Sequence, residues 1–176
     1  MLNRRGFLGL VAASLLPGCG FQPVYMPTAS GKAGVAQREL AAVSIDLIND
    51  RPGQVLRQAL QERFEASGVS ATKAYELSVA FGISGEGIGI QPDTSVTRIR
   101  LVGEANWSLT AMDPLRSKLV RGRAKAVDDF DVINQQLFAA DLGGVAAQQR
   151  LADALADQIT IQLSAWFRQR AAAAAG

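Results

Sequence analysis

Residues 98–109, Arg-Ile-Arg-Leu-Val-Gly-Glu-Ala-Asn-Trp-Ser-Leu, decide the fold because apolar and polar side chains alternate along them. One parity carries Ile99, Leu101, Ala105, Trp107 and Leu109, and the other carries Arg98, Arg100, Glu104, Asn106 and Ser108. Successive side chains of an extended chain point to opposite faces of a sheet. The stretch therefore predicts a β-strand with one face in the core and the other in water.

Three other segments carry the same alternation, at residues 41–47, 75–83 and 119–127. The last of them follows a turn that Asp113-Pro114 favours. Its polar parity carries Arg121, Arg123 and Lys125. The side chains on the apolar side are Ala41, Val43, Ile45 and Leu47 in residues 41–47, Tyr75, Leu77, Val79, Phe81 and Ile83 in residues 75–83, and Val120, Gly122, Ala124 and Ala126 in residues 119–127. Four strands are predicted in total.

Two segments have helical spacing instead. The first is predicted to begin at an Asn49 or Asp50 cap and to end at Gly68, and its apolar stripe is Val55, Leu56, Ala59, Leu60 and Phe64. The second opens at Asp128, Asp129 or Asp131 and runs toward Arg170, with Leu151, Leu155, Ile159, Leu163 and Phe167 at four-residue intervals. Gly143-Gly144 predicts a break or kink, because each Gly costs about 1 kcal/mol relative to Ala.

The predicted order is β-α-β-β-β-α. This order favours an α/β fold of the α+β type, a two-layer sandwich in which a four-stranded mixed sheet carries two helices on one face. The other sheet face is left exposed or covered by a partner. We expect one domain at residues 38–170, followed by a disordered tail at 171–176.

The N-terminus is typical of a bacterial lipoprotein signal. Arg4-Arg5 precede an apolar run at residues 7–16, and Cys19 follows a Leu-Pro-Gly sequence. Ten residues span only about 15 Å as a helix, half of a bilayer core, so a permanent transmembrane helix is the weaker interpretation. Residues 1–18 are then removed, Cys19 receives N-acyl and S-diacylglycerol chains, and residues 19–37 form a tether. The sequence leaves open whether export follows the general or the twin-arginine route. Gly20, directly after Cys19, favours localisation at the outer membrane.

The composition excludes several classes of function. The chain has no His, and Cys19 is its only Cys, so His-based nucleophilic triads, His or multi-Cys metal sites and intramolecular disulfides are excluded. Without Arg4 and Arg5, 16 basic side chains balance the 16 acidic ones, which argues against a nucleic-acid-binding protein. The glycines at 82, 85, 87 and 89 predict a flexible hairpin tip, and the acids at 128–131 predict helix caps and no metal site.

The chain resembles the LptE family of lipopolysaccharide-assembly lipoproteins, in particular its alphaproteobacterial branch. The resemblance rests on Gly18-Cys19-Gly20-Phe21-Gln22-Pro23-Val24-Tyr25 and on residues 97–102, 130–136 and 151–159, and it covers nearly the whole mature chain. Phe130 and Gly143-Gly144 depart from the family pattern. The resemblance implies a non-enzymatic protein, anchored at the periplasmic side of the outer membrane, which plugs the LptD barrel and binds lipopolysaccharide. It implies no cofactor beyond the lipid on Cys19.

A basic surface is predicted independently of this resemblance. Arg98, Arg100, Arg121, Arg123 and Lys125 share the outward parity of two neighbouring strands, where they could contact lipid A phosphates or an acidic barrel wall. Two alternatives stay open. The five residues could form only a solvated strand face, and the protein could be a free outer-membrane lipoprotein that binds a small apolar or anionic ligand.

The lipid anchor gives the first testable prediction. We expect Cys19→Ala to prevent cleavage by the lipoprotein peptidase and to release or mislocalise the protein, because several acyl chains are needed to hold it on a membrane. Mass spectrometry of the mature N-terminus measures the outcome in the unsubstituted protein. An unmodified Cys19, or cleavage at another position, would contradict the prediction.

Overall fold

The computed structural model describes residues 33–90, 96–132 and 137–176. The predicted signal peptide, Cys19 and most of the predicted tether lie outside these residues. The described elements, in chain order, are α1 (Val35–Ala41), β1 (Val43–Ile45), α2 (Arg51–Glu65), β2 (Tyr75–Ile90), β3 (Val96–Ala111), β4 (Lys118–Asp131) and α3 (Leu137–Ala175). In this part of the chain no helix is both long enough and apolar enough to cross a membrane.

The four strands form one mixed sheet in the order β1-β2-β3-β4. The short strand β1 pairs in parallel with the start of β2, and the two long hairpin pairs are antiparallel. In the centre, Trp107 of β3 lies between Val79 of β2 and Gly122 of β4. The predicted four-stranded mixed sheet and its α+β class are confirmed.

Burial follows the predicted parity. Leu101, Ala105, Trp107 and Leu109 of β3 are buried, whereas the alternate side chains are exposed or half-buried. The buried side of the sheet joins α2 and α3 in one core, in which the largest fully buried side chains include Leu56, Leu60, Leu155, Ile159 and Phe167. The helices therefore cover one sheet face, as the alternation predicts.

Helix α3 is continuous, so the predicted break at Gly143-Gly144 is wrong. Both glycines lie against the ring of Phe130 on β4. A Cβ added at Gly143 would lie 3.5 Å from Phe130 Cδ2, and one at Gly144 would lie 3.4 Å from Cζ. This close packing of helix against strand offsets the low helix propensity of glycine. At its other end the helix continues through a run of alanines to Ala175, because Ala has the highest helix propensity. A disordered tail was expected at residues 171–176.

Three further boundaries differ from the sequence prediction. Helix α1 is an unpredicted third helix, and it begins at Val35, inside the expected tether, because Ala36 and Leu40 are buried against the other helices. The order is thus α-β-α-β-β-β-α. Residues 128–131 extend β4 and do not cap a helix, because they pair with residues 98–101 of β3. The glycines from 82 to 89 likewise lie in β2 and not in a hairpin tip.

The two edges of the sheet are treated differently. Helix α3 covers the β4 edge, where the Gln158 side-chain amide accepts from Lys125 N (3.2 Å) and donates to Lys125 O (2.9 Å). Gln162 bridges Trp107 Nε1 and Arg123 O, at 3.0 Å each. These amides occupy backbone groups that an edge strand otherwise offers to another chain. Beyond residue 77, no described strand pairs with the outer edge of β2.

The close approach at Gly122 gives a stability prediction. A Cβ at this position would clash with Trp107, at 2.6 Å from Cε2, so Gly122→Ala must displace the indole ring. We expect the free energy of unfolding to fall by about 1–3 kcal/mol, as overpacking of a core does. Gly82→Ala is the matched control in the same sheet, because a Cβ there meets nothing within 4 Å. Equal urea midpoints for the two variants would contradict the prediction.

Candidate functional site

The sheet surface away from the helices, here called the open face, holds all five predicted basic residues. Arg98 and Arg100 lie on β3, while Arg121, Arg123 and Lys125 lie on β4, and all five are exposed. The register places Arg123 opposite Asn106 and Lys125 opposite Glu104. Residues directly opposite each other in an antiparallel pair share a face, so the five side chains lie on one face, with Arg98 and Arg100 toward one end of it and Arg121 and Arg123 toward the other.

Three of these cations are paired with carboxylates. Arg98 Nη2 lies 2.5 Å from Asp129 Oδ1, and its Nε lies 3.8 Å from Asp131 Oδ1. Arg100 Nη1 lies 3.3 Å from Glu86 Oε1. Lys125 Nζ lies 2.9 Å from Glu104 Oε1. The predicted basic surface is therefore charge-paired over this half of the open face, because acids of β2, β3 and β4 come into register with it.

The positive charge of the open face is concentrated near the β3–β4 turn. Among the described residues, Arg121 has no salt bridge, and Arg123 donates from Nε only to the neutral Asn106 Oδ1 at 3.0 Å. Lys118 joins them, since it pairs with Thr110 and is exposed without a described carboxylate partner. We call Lys118, Arg121 and Arg123 the basic cluster.

Sequence reasoning missed Lys118 because strict alternation fails at this point. A register shift between Leu109 and Thr110 inserts one extra residue into β4, so Leu119 and Val120 both pack against the core. Such a bulge reverses the parity of every residue beyond it. Two consecutive apolar residues, Leu119-Val120, were the only signal of it in the sequence.

The other sequence candidates have structural roles. Trp107 is buried, and Trp166 packs edge-on against Phe167 with ring centroids 5.0 Å apart, so both belong to the core as predicted. Asp128 accepts from Arg150 Nε at 2.6 Å, and Asp129 from Arg98, which leaves these carboxylates paired with cations. Arg150 and Arg98 therefore pair with the two carboxylates that, by residue type, were candidates for binding a metal cation.

A trough lies beside the open face, between the loop at residues 46–50 and the unpaired edge of β2. Its volume is about 660 Å³, and its lining includes Leu47, Asp50, Val102 and Glu104. The small residues of β2 form part of the floor, where Gly82 leaves open space above the sheet. The trough is open to solvent, and its charged lining is acidic, in contrast to the basic cluster.

The charge pairing perturbs one carboxyl group on the open face. The hydrogen bond and the charge of Lys125 hold the pKa of Glu104 below its ordinary value, and the charge of Arg123 adds to this effect. Glu104 is therefore ionised at neutral pH. It separates the basic cluster from the paired half of the open face.

Comparison with known proteins identifies a family. Residues 40–163 match the family model described as LptE, lipopolysaccharide-assembly. A search of curated proteins finds no match to the chain.

Solved structures of lipoproteins share the fold. A lipoprotein from Caulobacter crescentus CB15 is 21% identical, with a TM-score of 0.62 over 76% of this chain and 96% of that one. Rare lipoprotein B from Shewanella oneidensis is 11% identical, with a TM-score of 0.51 over 73% of this chain and 95% of that one. A minor lipoprotein from Acinetobacter baumannii is 18% identical, with a TM-score of 0.51 over 70% and 88%.

The Glu104–Lys125 pair gives a titration prediction. We expect Lys125→Met to raise the pKa of Glu104 toward its ordinary value, because the hydrogen bond and the nearest positive charge are removed. The stabilisation from this pair is present above the ordinary carboxyl pKa and is lost as the pH falls through the depressed one. Carboxyl-detected NMR measures the titration directly. Lys118→Met is the matched control, and an equal shift in both variants would contradict the assignment.

Proposed function

Because the chain belongs to the LptE family of lipopolysaccharide-assembly proteins, we propose that it plugs the outer-membrane barrel LptD and presents its basic cluster to the phosphates of lipopolysaccharide. The family places the chain in lipopolysaccharide assembly. The barrel as partner, the plug position and the contact residues are our proposal. It includes no catalytic step, in keeping with a family of assembly lipoproteins.

The observation that carries the proposal is the basic cluster on an otherwise charge-paired face. Arg121 and Arg123 are exposed on the same face of β4, two residues apart, which separates their Cα atoms by about 6–7 Å. Each guanidinium offers parallel donors that suit phosphate oxygens. Elsewhere on the open face Arg98, Arg100 and Lys125 already hold carboxylates, so an added anion meets fewer free donors there.

The proposed anchor is compatible with this placement. If Cys19 carries the lipid, residues 20–32 separate it from the described domain, and 13 residues span at most about 43–47 Å. The domain therefore stays within that distance of the membrane surface on the periplasmic side. This reach is comparable to the combined thickness of bilayer core and headgroups, about 40–45 Å.

A free lipoprotein that binds a small ligand has less support. The trough beside β2 has Asp50 and Glu104 as its charged side chains, so it would repel an anionic ligand. A second open hollow, of about 570 Å³ beside Trp107, is lined by Arg121 and Arg123 and so belongs to the basic cluster itself. An apolar ligand would remain in contact with water, whereas ligand pockets usually bury most of the ligand surface.

The proposal is tested by reversing the cluster. We expect Arg121→Glu with Arg123→Glu to weaken binding of purified lipopolysaccharide about tenfold or more at low salt, because each charge-assisted hydrogen bond contributes about 1.5–3 kcal/mol. The difference should shrink as salt rises, since exposed charges are screened within about 8 Å at physiological ionic strength. Binding is measured with the full lipidated protein in detergent, and the barrel is quantified in the same preparations.

The matched control reverses Arg38 and Arg51, which are exposed on helices α1 and α2. A thermal melt confirms that both double variants fold, because exposed charges contribute little to stability. Equal lipopolysaccharide binding by the wild type and the Arg121/Arg123 variant at low salt would contradict the proposal, because the basic cluster would then be only a solvated strand face. Purification of the wild type from membrane extract without a barrel would contradict the plug role.

A further inference from the structure

The first three turns of α3 carry large apolar side chains on their outer side. Phe138, Leu142 and Val145 are 76%, 57% and 55% exposed. At 3.6 residues per turn, positions i, i+4 and i+7 fall within about 60° of one another around the helix. We call these three residues the apolar stripe.

The inner side of the same turns carries small residues. Gly143 and Gly144 contact the ring of Phe130, and Ala147 is fully buried. A helix on the surface of a protein ordinarily turns its large apolar residues inward. From Leu151 onward α3 does so, but its first three turns are inverted. A contiguous exposed apolar surface of this kind marks an interaction site.

The charge beside the apolar stripe is acidic. Asp141 lies next to it on the helix and has no salt bridge among the described residues. The nearest described cation along α3, Arg150, is already engaged by Asp128. The rim of the apolar stripe therefore carries one uncompensated negative charge, at Asp141.

We propose that the apolar stripe docks into an apolar groove with a basic rim on the barrel partner, an inference that rests on the proposed function. Anchors at i, i+4 and i+7 are typical of a helix that lies in a protein groove. A second copy of this chain fits less well, because a symmetric contact brings the same acidic rims together. An anionic membrane surface would repel the Asp141 carboxylate.

The experiment compares two variants. The stripe variant carries both Phe138→Ser and Leu142→Ser in one chain, and the control carries Ile161→Ser. Ile161 is 49% exposed on the same helix but lies outside the apolar stripe, which makes it a matched control. We expect the stripe variant to recover at least fivefold less barrel from membrane extract, and the control to recover the wild-type amount. Asp141→Lys should also lower recovery, because a basic rim would then meet a cation.

Photocrosslinking gives a readout that does not depend on how the stripe variant folds. A photoreactive residue at position 142 should crosslink to the barrel, and the same residue at position 161 should not. This inference, but not the proposed function, would be overturned by three results together: the wild type recovers the barrel, the stripe variant recovers the same amount, and position 142 gives no crosslink. A crosslink from position 142 to a second copy of this chain would also overturn it. Absence of the barrel from the wild-type preparation would instead overturn the proposed function.

Discussion

Helix α3 organises the core through five side chains at four-residue spacing, Leu151, Leu155, Ile159, Leu163 and Phe167. Each is 2% exposed or less, and the helix contacts α1, α2, β3 and β4. Full burial of one such side chain contributes up to about 1.5–3 kcal/mol. Arg63 of α2 adds a polar connection, because its guanidinium binds both Asp153 and Asp157 of α3. Without α3, most of the inner sheet face would lie in water.

The close seating of α3 requires small residues on the strands beneath it. A Cβ at Gly103 would lie 3.2 Å from Leu155 Cδ1, and Ala124 and Ala126 supply short side chains on β4. With one face of the sheet filled in this way, alternation sends every other side chain to the open face. The candidate site is therefore a consequence of strand parity. Its charge pattern then depends on which residues the hairpins bring into register.

The sequence predicted what depends on local periodicity and missed what depends on distant contacts. The strand parities, the stripe of α3 and the shared face of the five basic residues follow from spacing alone. Helix α1 was missed because seven residues cannot form a stable helix without tertiary packing, here through Leu40. The pairs of Arg98 with Asp129 and of Arg100 with Glu86 join residues 31 and 14 positions apart, so no local pattern shows them. Lys118 was missed because a single bulge reverses parity.

The basic cluster and the apolar stripe lie at opposite ends of β4. Arg121 and Phe130, which contacts the inner side of α3, are nine residues apart, or about 30 Å along an extended strand. The basic cluster also belongs to the open face, whereas the apolar stripe belongs to the helical layer. No small ligand reaches both surfaces at once. The two proposed ligands, lipopolysaccharide at the basic cluster and the barrel at the apolar stripe, would therefore contact the molecule at separate places and could be bound at the same time.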